Sequence, residues 1–325
     1  MNKVICSSFF FGESVTQYAN MKKKNINSHN EVYIKTVVCL FSSIRFFDKK
    51  SKLIFFVNDT RKLQSIKEGY YIGILEKLEV EVIEVPSQYV DTSKRWAGSM
   101  FIFDIIDFIV KTNENLEHDN QGYYFLDTDV IFLNDFETAI NIIEKYDWAG
   151  YAQFSEFGRS NCWLENFHGI DFKTTSSPNN EISLPYGGEF LYLRSTTMIP
   201  FYNKFKTIFE EQCNFYFTEE HYYTSILNSK EFIEKKGLNI NSFFKRAIRA
   251  NRCLDDQYLW AGHFPGEKDY KLKYLFKYLE KNNFVYSPVK AKNILGVSTF
   301  VNEYDVKSVG KIIKGLARRI NTVGR

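Results

Sequence analysis

The sequence predicts an α/β fold, a mostly parallel sheet covered by helices. The first observation is a set of short, wholly apolar runs at 4–6, 53–57 and 123–126. Runs that are apolar on both faces suit strands buried on both sides, as in a parallel sheet. The second is the segment 80–85, rich in Val and Ile and closed by Pro86, which reads as another strand. The third is what lies between them. Helix-like segments are expected over 33–47, before residue 80, and over 97–111. Strands alternating with helices imply a parallel sheet with helices on its faces.

The first strand spans 4–6, and Phe9, Phe10 and Phe11 belong to the turn after it. Asn58 and Asp59 close the second strand and read as a turn or helix cap. The stretch 155–185 is polar and irregular, suiting a lid or an acceptor-facing excursion. Trp163 and Phe167 within it could stack on a sugar or pack in a core. His29, His118 and His168 read as surface histidines.

Composition narrows the function. At 44% hydrophobic, the 325-residue chain can bury a large core, so it is not disordered overall. With 42 basic and 39 acidic residues, its charge is too even to indicate nucleic acid. The cysteines Cys6, Cys39, Cys162, Cys213 and Cys253 are odd in number and scattered, which argues against a disulfide framework or zinc site and for a reducing compartment. The apolar run at the start is too short for a secretory signal, and no apolar stretch is long enough to span a bilayer. A cytoplasmic protein is expected, with a place on the inner face of the cell membrane open to it.

The central feature is the segment 122–133, Gly-Tyr-Tyr-Phe-Leu-Asp-Thr-Asp-Val-Ile-Phe-Leu. An apolar strand runs into Asp127 and Asp129, and the chain then turns apolar again. Two carboxylates at the end of a buried strand repel each other and lose hydration. A divalent cation offsets both costs, and Mg²⁺ or Mn²⁺ prefers such oxygen ligands. The same cation can bridge a diphosphate and stabilise it as a leaving group. Two other readings use these residues. They could be turn aspartates that cap the next segment of the chain. They could also open a phosphatase of the haloacid dehalogenase type, with Asp127 as nucleophile and Asp255 and Asp256 as its later acidic pair. That motif normally sits on the first strand of its fold, whereas about three strand units precede it here.

Around this pair the sequence resembles nucleotide-sugar glycosyltransferases of the GT-A fold over residues 1–270. Lys94-Arg95-Trp96 with Ser99-Met100, then Asp127-Thr128-Asp129, Tyr186-Gly187-Gly188-Glu189-Phe190 and Thr218-Glu219-Glu220-His221 occur in order. They are similar to segments of the histo-blood-group A/B type α-galactosyl- and N-acetylgalactosaminyltransferases. Gly262-His263-Phe264-Pro265-Gly266-Glu267-Lys268 resembles a segment of the glycogenin and lipopolysaccharide galactosyltransferase group, with one residue instead of two between Gly266 and Lys268. The resemblance implies Asp127, Asp129 and His263 as metal ligands, with Asp127 also contacting the donor. It implies Arg95 and Lys268 on the diphosphate and Glu220 beneath the reacting sugar carbon. It further implies Ser7 and Ser8 near the nucleotide, although turn serines explain them equally well. Both groups retain anomeric configuration. An inverting enzyme would instead need a carboxylate base, for which Glu189, Glu219 or Asp256 could serve.

The expected division is a catalytic domain at 1–270 and a basic, aromatic helical extension at 271–325. Lys273, Lys277 and Lys281 line up beside Tyr270, Tyr274 and Tyr278. Beyond Asp305, Lys307, Lys311, Lys314 and Arg318 share one helical face, opposite Val309, Ile312, Ile313, Leu316 and Ile320. Such helices suit anionic membranes, or an apolar stripe docked on the domain. The expectation is a hexosyltransferase taking a UDP-sugar with Mn²⁺ or Mg²⁺ to a saccharide or lipid-linked acceptor, in bacterial surface polysaccharide or lipopolysaccharide assembly. A phosphatase and a non-catalytic sugar-binding module are the alternatives. No nucleic acid partner is expected.

Overall fold

The computed structural model describes residues 2–14, 26–113, 116, 120–152, 184–214, 218–246 and 259–297. Among them, β1 (Asn2–Phe9), β2 (Lys52–Val57), β3 (Val80–Glu84) and β4 (Gln121–Leu126) run parallel. They continue through β7 (Tyr186–Arg194), β6 (Trp148–Ala152) and β8 (Gly237–Asn239) into one sheet of order β3-β2-β1-β4-β7-β6-β8. β7 is antiparallel to both β4 and β6. A second sheet, β5-β10-β9, joins β5 (Val130–Phe132), β9 (Phe244–Arg246) and β10 (Ala261–His263). The predicted mixed, mainly parallel α/β architecture is therefore present.

Side-chain alternation assigns the two faces of the large sheet. Ile5 and Phe9 of β1, Leu53, Phe55 and Val57 of β2, and Tyr124 and Leu126 of β4 enter one core. Val4 and Cys6, Ile54 and Phe56, and Tyr123 and Phe125 enter the other. The first core is covered by α1 (Ile26–Phe47), α3 (Tyr70–Lys77), α5 (Glu137–Ile143) and α9 (Lys271–Lys281). The second is covered by α4 (Phe101–Thr112), α6 (Ser195–Gln212), α7 (Glu219–Leu227) and the single turn α8 (Lys230–Ile233), which contributes Phe232. Phe103 of α4 stacks on Phe205 of α6 with ring centroids 3.8 Å apart. Each such buried ring contributes about 1.5–3 kcal/mol by leaving water.

Several element boundaries differ from expectation. α1 starts at Ile26 rather than residue 33, and His29 is buried in its first turns rather than on the surface. The segment 97–111 divides into a 3-10 turn, Ala97–Met100, and α4, after Trp96 at φ 61°. Ser7 and Ser8 lie inside β1 and not after it. The hydroxyl of Ser7 donates to the Leu126 carbonyl of β4 at 2.9 Å. Asp59 does cap a helix, accepting from Lys62 N at 2.9 Å to start α2 (Thr60–Ser65).

α9 buries Leu272, Leu275, Phe276 and Leu279 in the core of α1 and leaves Lys273, Lys277 and Lys281 in water. α10 (Pro288–Leu295) comes next, with Ser287 as its cap. Trp163, Phe167, Asp255, Asp256 and the tail beyond Asp305 lie outside the described residues. Among the described residues, no helix is long and apolar enough to cross a membrane.

Candidate active site

The site forms where the two sheets meet. β4 ends at Leu126 and β5 begins at Val130, so Asp127-Thr128-Asp129 is the step between them. Asp127 N donates to the Glu189 carbonyl of β7 at 3.1 Å, and Asp127 Oδ1 accepts from Thr128 N at 2.7 Å. The Asp129 carbonyl accepts from Phe264 N at 3.1 Å. β10 pairs with β5 so that His263 stands opposite Val130, and with β9 so that His263 stands opposite Arg246. This pairing brings the distant His263 to the acidic pair.

His263 Nε2 lies 2.9 Å from Asp129 Oδ1 and 3.2 Å from Asp127 Oδ2. Lys268 Nζ lies 2.6 Å from Asp129 Oδ2 and 4.9 Å from the Tyr33 ring centroid. The Asp129 side chain is fully buried, whereas that of Asp127 is 40% exposed. Of the two aspartates, Asp127 is the one that a ligand arriving from solvent meets first. Burial opposes ionisation of Asp129, but His263 and Lys268 outweigh it and hold its carboxyl well below the usual range. Burial likewise disfavours the His263 imidazolium, yet Asp129 above all lifts its pKa well above the ordinary value.

Asp127, Asp129 and His263 each offer one ligand atom, and these atoms lie within 4.8 Å of one another. The set fits a divalent cation. It combines two carboxylates with an imidazole, and ion pairing holds the buried Asp129 oxygens in place of hydrogen bonds of good geometry. A cation can take over the compensation that His263 and Lys268 supply.

Behind this cluster, Glu189 Oε1 lies 2.8 Å from Arg246 Nη1 and 3.4 Å from His263 Nδ1. Arg246 also reaches Glu220 Oε1 at 3.8 Å. Glu219 and Glu220 open α7, whose N-terminus favours negative charge, and Thr218 with His221 forms a reciprocal cap there. Burial still dominates both glutamates, pushing Glu219 up to about 7 and Glu220 up to about 8. Gly188 makes this close approach possible. A Cβ there would lie 1.9 Å from Glu219 Oε1.

Of the sequence-predicted residues, Asp127, Asp129, His263, Lys268, Glu189 and Glu220 gather in one place. Arg95 is exposed, with its guanidinium 4.5 Å over the Trp96 ring. Its segment borders the site through Ser99, whose hydroxyl faces Glu219. Ser8 is half-buried within β1. Sequence reasoning missed Arg246 and the role of Tyr33. A lone arginine in a three-residue strand carries no local signal, and Tyr33 reads as an ordinary helix residue.

No family model and no curated protein sequence matches the chain. Among solved structures, the crystal structure of mouse Xyloside xylosyltransferase 1 in its apo form is similar. The match covers 81% of this chain and 98% of that chain, with 10% identity and a TM-score of 0.49. A likeness of that degree identifies neither substrate nor reaction.

Proposed function

We propose that the chain is a metal-dependent glycosyltransferase of the GT-A type. It moves a hexose or N-acetylhexosamine from a UDP-sugar to a saccharide or lipid-linked acceptor, with retention. One observation carries the reading: Asp127, Asp129 and His263 converge at the carboxyl end of β4, beside β1. The chain builds the sheet outward from β1 to β2 and β3, then returns to place β4 on the other side of β1. Open α/β sheets bind ligands at such a switch point.

A bound Mn²⁺ or Mg²⁺ supplies positive charge to the departing diphosphate. Asp127, Asp129 and His263 are the residues to hold it. Arg95 and Lys268 are the cationic groups for the diphosphate. In this proposal the nucleoside is assigned to the cleft beyond β1 and β2, whose lining includes Gly12, Glu13, Asn27, Asn30, Glu31 and Lys62. Ser7 is less suited to that task because its hydroxyl is engaged by Leu126. Glu220 is the carboxyl to face the anomeric carbon and stabilise its positive charge. The position of the acidic pair on the fourth strand, after three parallel strands, favours this reading over the phosphatase.

Residues 1–270 carry the chemistry in this proposal, and residues 271–325 serve the acceptor. Support for a cytoplasmic enzyme at an anionic membrane face, assembling bacterial surface polysaccharide, comes from the resemblance and from α9. That helix exposes Lys273, Tyr274, Lys277 and Lys281 while its apolar side is packed.

The test is to incubate the full chain with a panel of UDP-sugars and Mn²⁺ and to measure UDP release. Release should depend on the metal, select among sugars, and vanish in Asp129→Ala. Full activity in excess chelator, or phosphate release from phosphomonoesters instead, overturns the reading.

A further inference from the structure

A metal-ligating histidine needs its second ring nitrogen fixed, because the partner of that nitrogen sets the tautomer and the ring plane. His263 Nδ1 is buried, and no described group meets it with good hydrogen-bond geometry. The nearest anionic atom the structure gives it is Glu189 Oε1, at 3.4 Å. Glu189 is itself 1% exposed, and neither of its carboxylate oxygens has a hydrogen bond of good geometry among the described residues. Its position is fixed from two sides. Its carbonyl accepts from Asp127 N at 3.1 Å, and its carboxylate pairs with Arg246 Nη1 at 2.8 Å. A carboxylate so enclosed is poorly placed to deprotonate an acceptor hydroxyl arriving from solvent. It is the carboxylate beside the imidazole Nδ1, 3.4 Å away, and a small turn of the ring brings that N–H onto it.

We propose that Glu189 is the positioning residue of the metal centre. It accepts the Nδ1–H of His263 so that Nε2 keeps its lone pair for the cation, and Arg246 holds Glu189 in line. The inference rests on the metal-centre reading above. It replaces the expected role of Glu189 as base with one exerted through His263. The same Nη1 of Arg246 lies 3.8 Å from Glu220 Oε1, which links the cation site to Glu220.

The experiment titrates Mn²⁺ into the full-length protein and follows free Mn²⁺ by electron paramagnetic resonance. Glu189→Ala should weaken Mn²⁺ binding about 10- to 100-fold, and Glu189→Gln, which keeps an acceptor oxygen, should stay near wild type. Equal loss in both variants, or no loss in Glu189→Ala, overturns the proposal. Glu189→Ala also takes from the half-buried Arg246 its closest carboxylate. Should that variant fail to fold, the ring itself decides. In wild-type protein loaded with diamagnetic Zn²⁺, nitrogen-15 spectra should show His263 protonated at Nδ1 and metal-bound at Nε2, with the signal assigned by its loss in His263→Ala. The opposite tautomer overturns the proposal. Asp129→Ala tells the metal centre apart from its support. If it leaves Mn²⁺ binding unchanged, the metal centre fails and Glu189 with it. If it abolishes binding while Glu189→Ala does not weaken it, only the positioning role fails.

Discussion

Replacing Lys268 with Met removes one of two cations from a carboxylate that has no contact with water. Lys268 Nζ lies 2.6 Å from Asp129 Oδ2, and both side chains are within 3% of full burial. Breaking a buried ion pair typically costs about 3–5 kcal/mol, because the remaining charge is left without compensation. Asp129 keeps His263 at 2.9 Å, so the low end applies, about 3 kcal/mol. Methionine fills nearly the same volume, which keeps the cavity penalty small. Unfolding entropy near the midpoint is about 2 cal/mol/K per residue, so a chain of this length should lose about 4 °C in Tm. Mn²⁺ should then repair the variant. A cation at Asp129 replaces the lost charge, and a ligand at 100 times its Kd stabilises by about 2.7 kcal/mol. Without Lys268 competing for Asp129, the variant should also gain more from Mn²⁺ than wild type does. Scanning fluorimetry of both proteins, in chelator and in Mn²⁺, measures all four midpoints. An equal deficit in both conditions would mean that the cation does not go to Asp129. No deficit in chelator would mean that the ion pair does not form in solution.

The same geometry sets further outcomes. Glu220→Gln should lower turnover by about 10²-fold while leaving donor KM nearly unchanged. In wild type, the rate should rise with pH toward about 8, where the carboxyl raised by burial ionises, and steady-state profiles of the two proteins test both points. Gly188→Ala should cost about 1–3 kcal/mol in urea unfolding by forcing Glu219 and the start of α7 outward, and turnover should fall with it. Mn²⁺ binding should release a proton and strengthen as pH rises, because the raised pKa keeps a proton on His263 that the cation must displace. Calorimetry in buffers of different ionisation enthalpy counts that proton. In chelator the sign reverses for stability. The His263 contribution is full below about pH 6.5, the ordinary histidine value, and is lost as pH climbs through the raised pKa. Replacing Lys273, Lys277 and Lys281 with Glu should abolish sedimentation with anionic vesicles while sparing transfer to soluble acceptors, and high salt should mimic the change in wild type.

The large sheet was legible because β1, β2 and β4 are buried on both faces and so carry unbroken apolar runs. The acidic pair was legible because a charged step in such a run demands compensation. His263 stood out through the residues around it. Other features depend on contacts that local pattern does not encode. The first turns of α1 carry Asn27, Ser28, His29 and Asn30, which look like a loop, yet His29 and Asn30 are buried. Ser7 reads as a turn residue, but its hydroxyl is satisfied on a neighbouring strand, so β1 continues to Phe9. Arg246 and Glu189 meet only through the pairing of β9 with β10 and the position of β7. The periodicity of α9 shows that it has an apolar side, but only the fold shows that this side meets α1.

The span between Asp127 and its histidine partner has a consequence in time. The two lie 136 positions apart, and synthesis adds about 5–20 residues per second. The strands β1 to β4 are therefore complete roughly 10 s before the chain that neutralises the acidic step has left the ribosome. Through that interval the acidic step is without His263 and Lys268, the groups that pair with it in the folded chain. The last strand of the small sheet to be made is thus also the one that discharges the edge left by the first four.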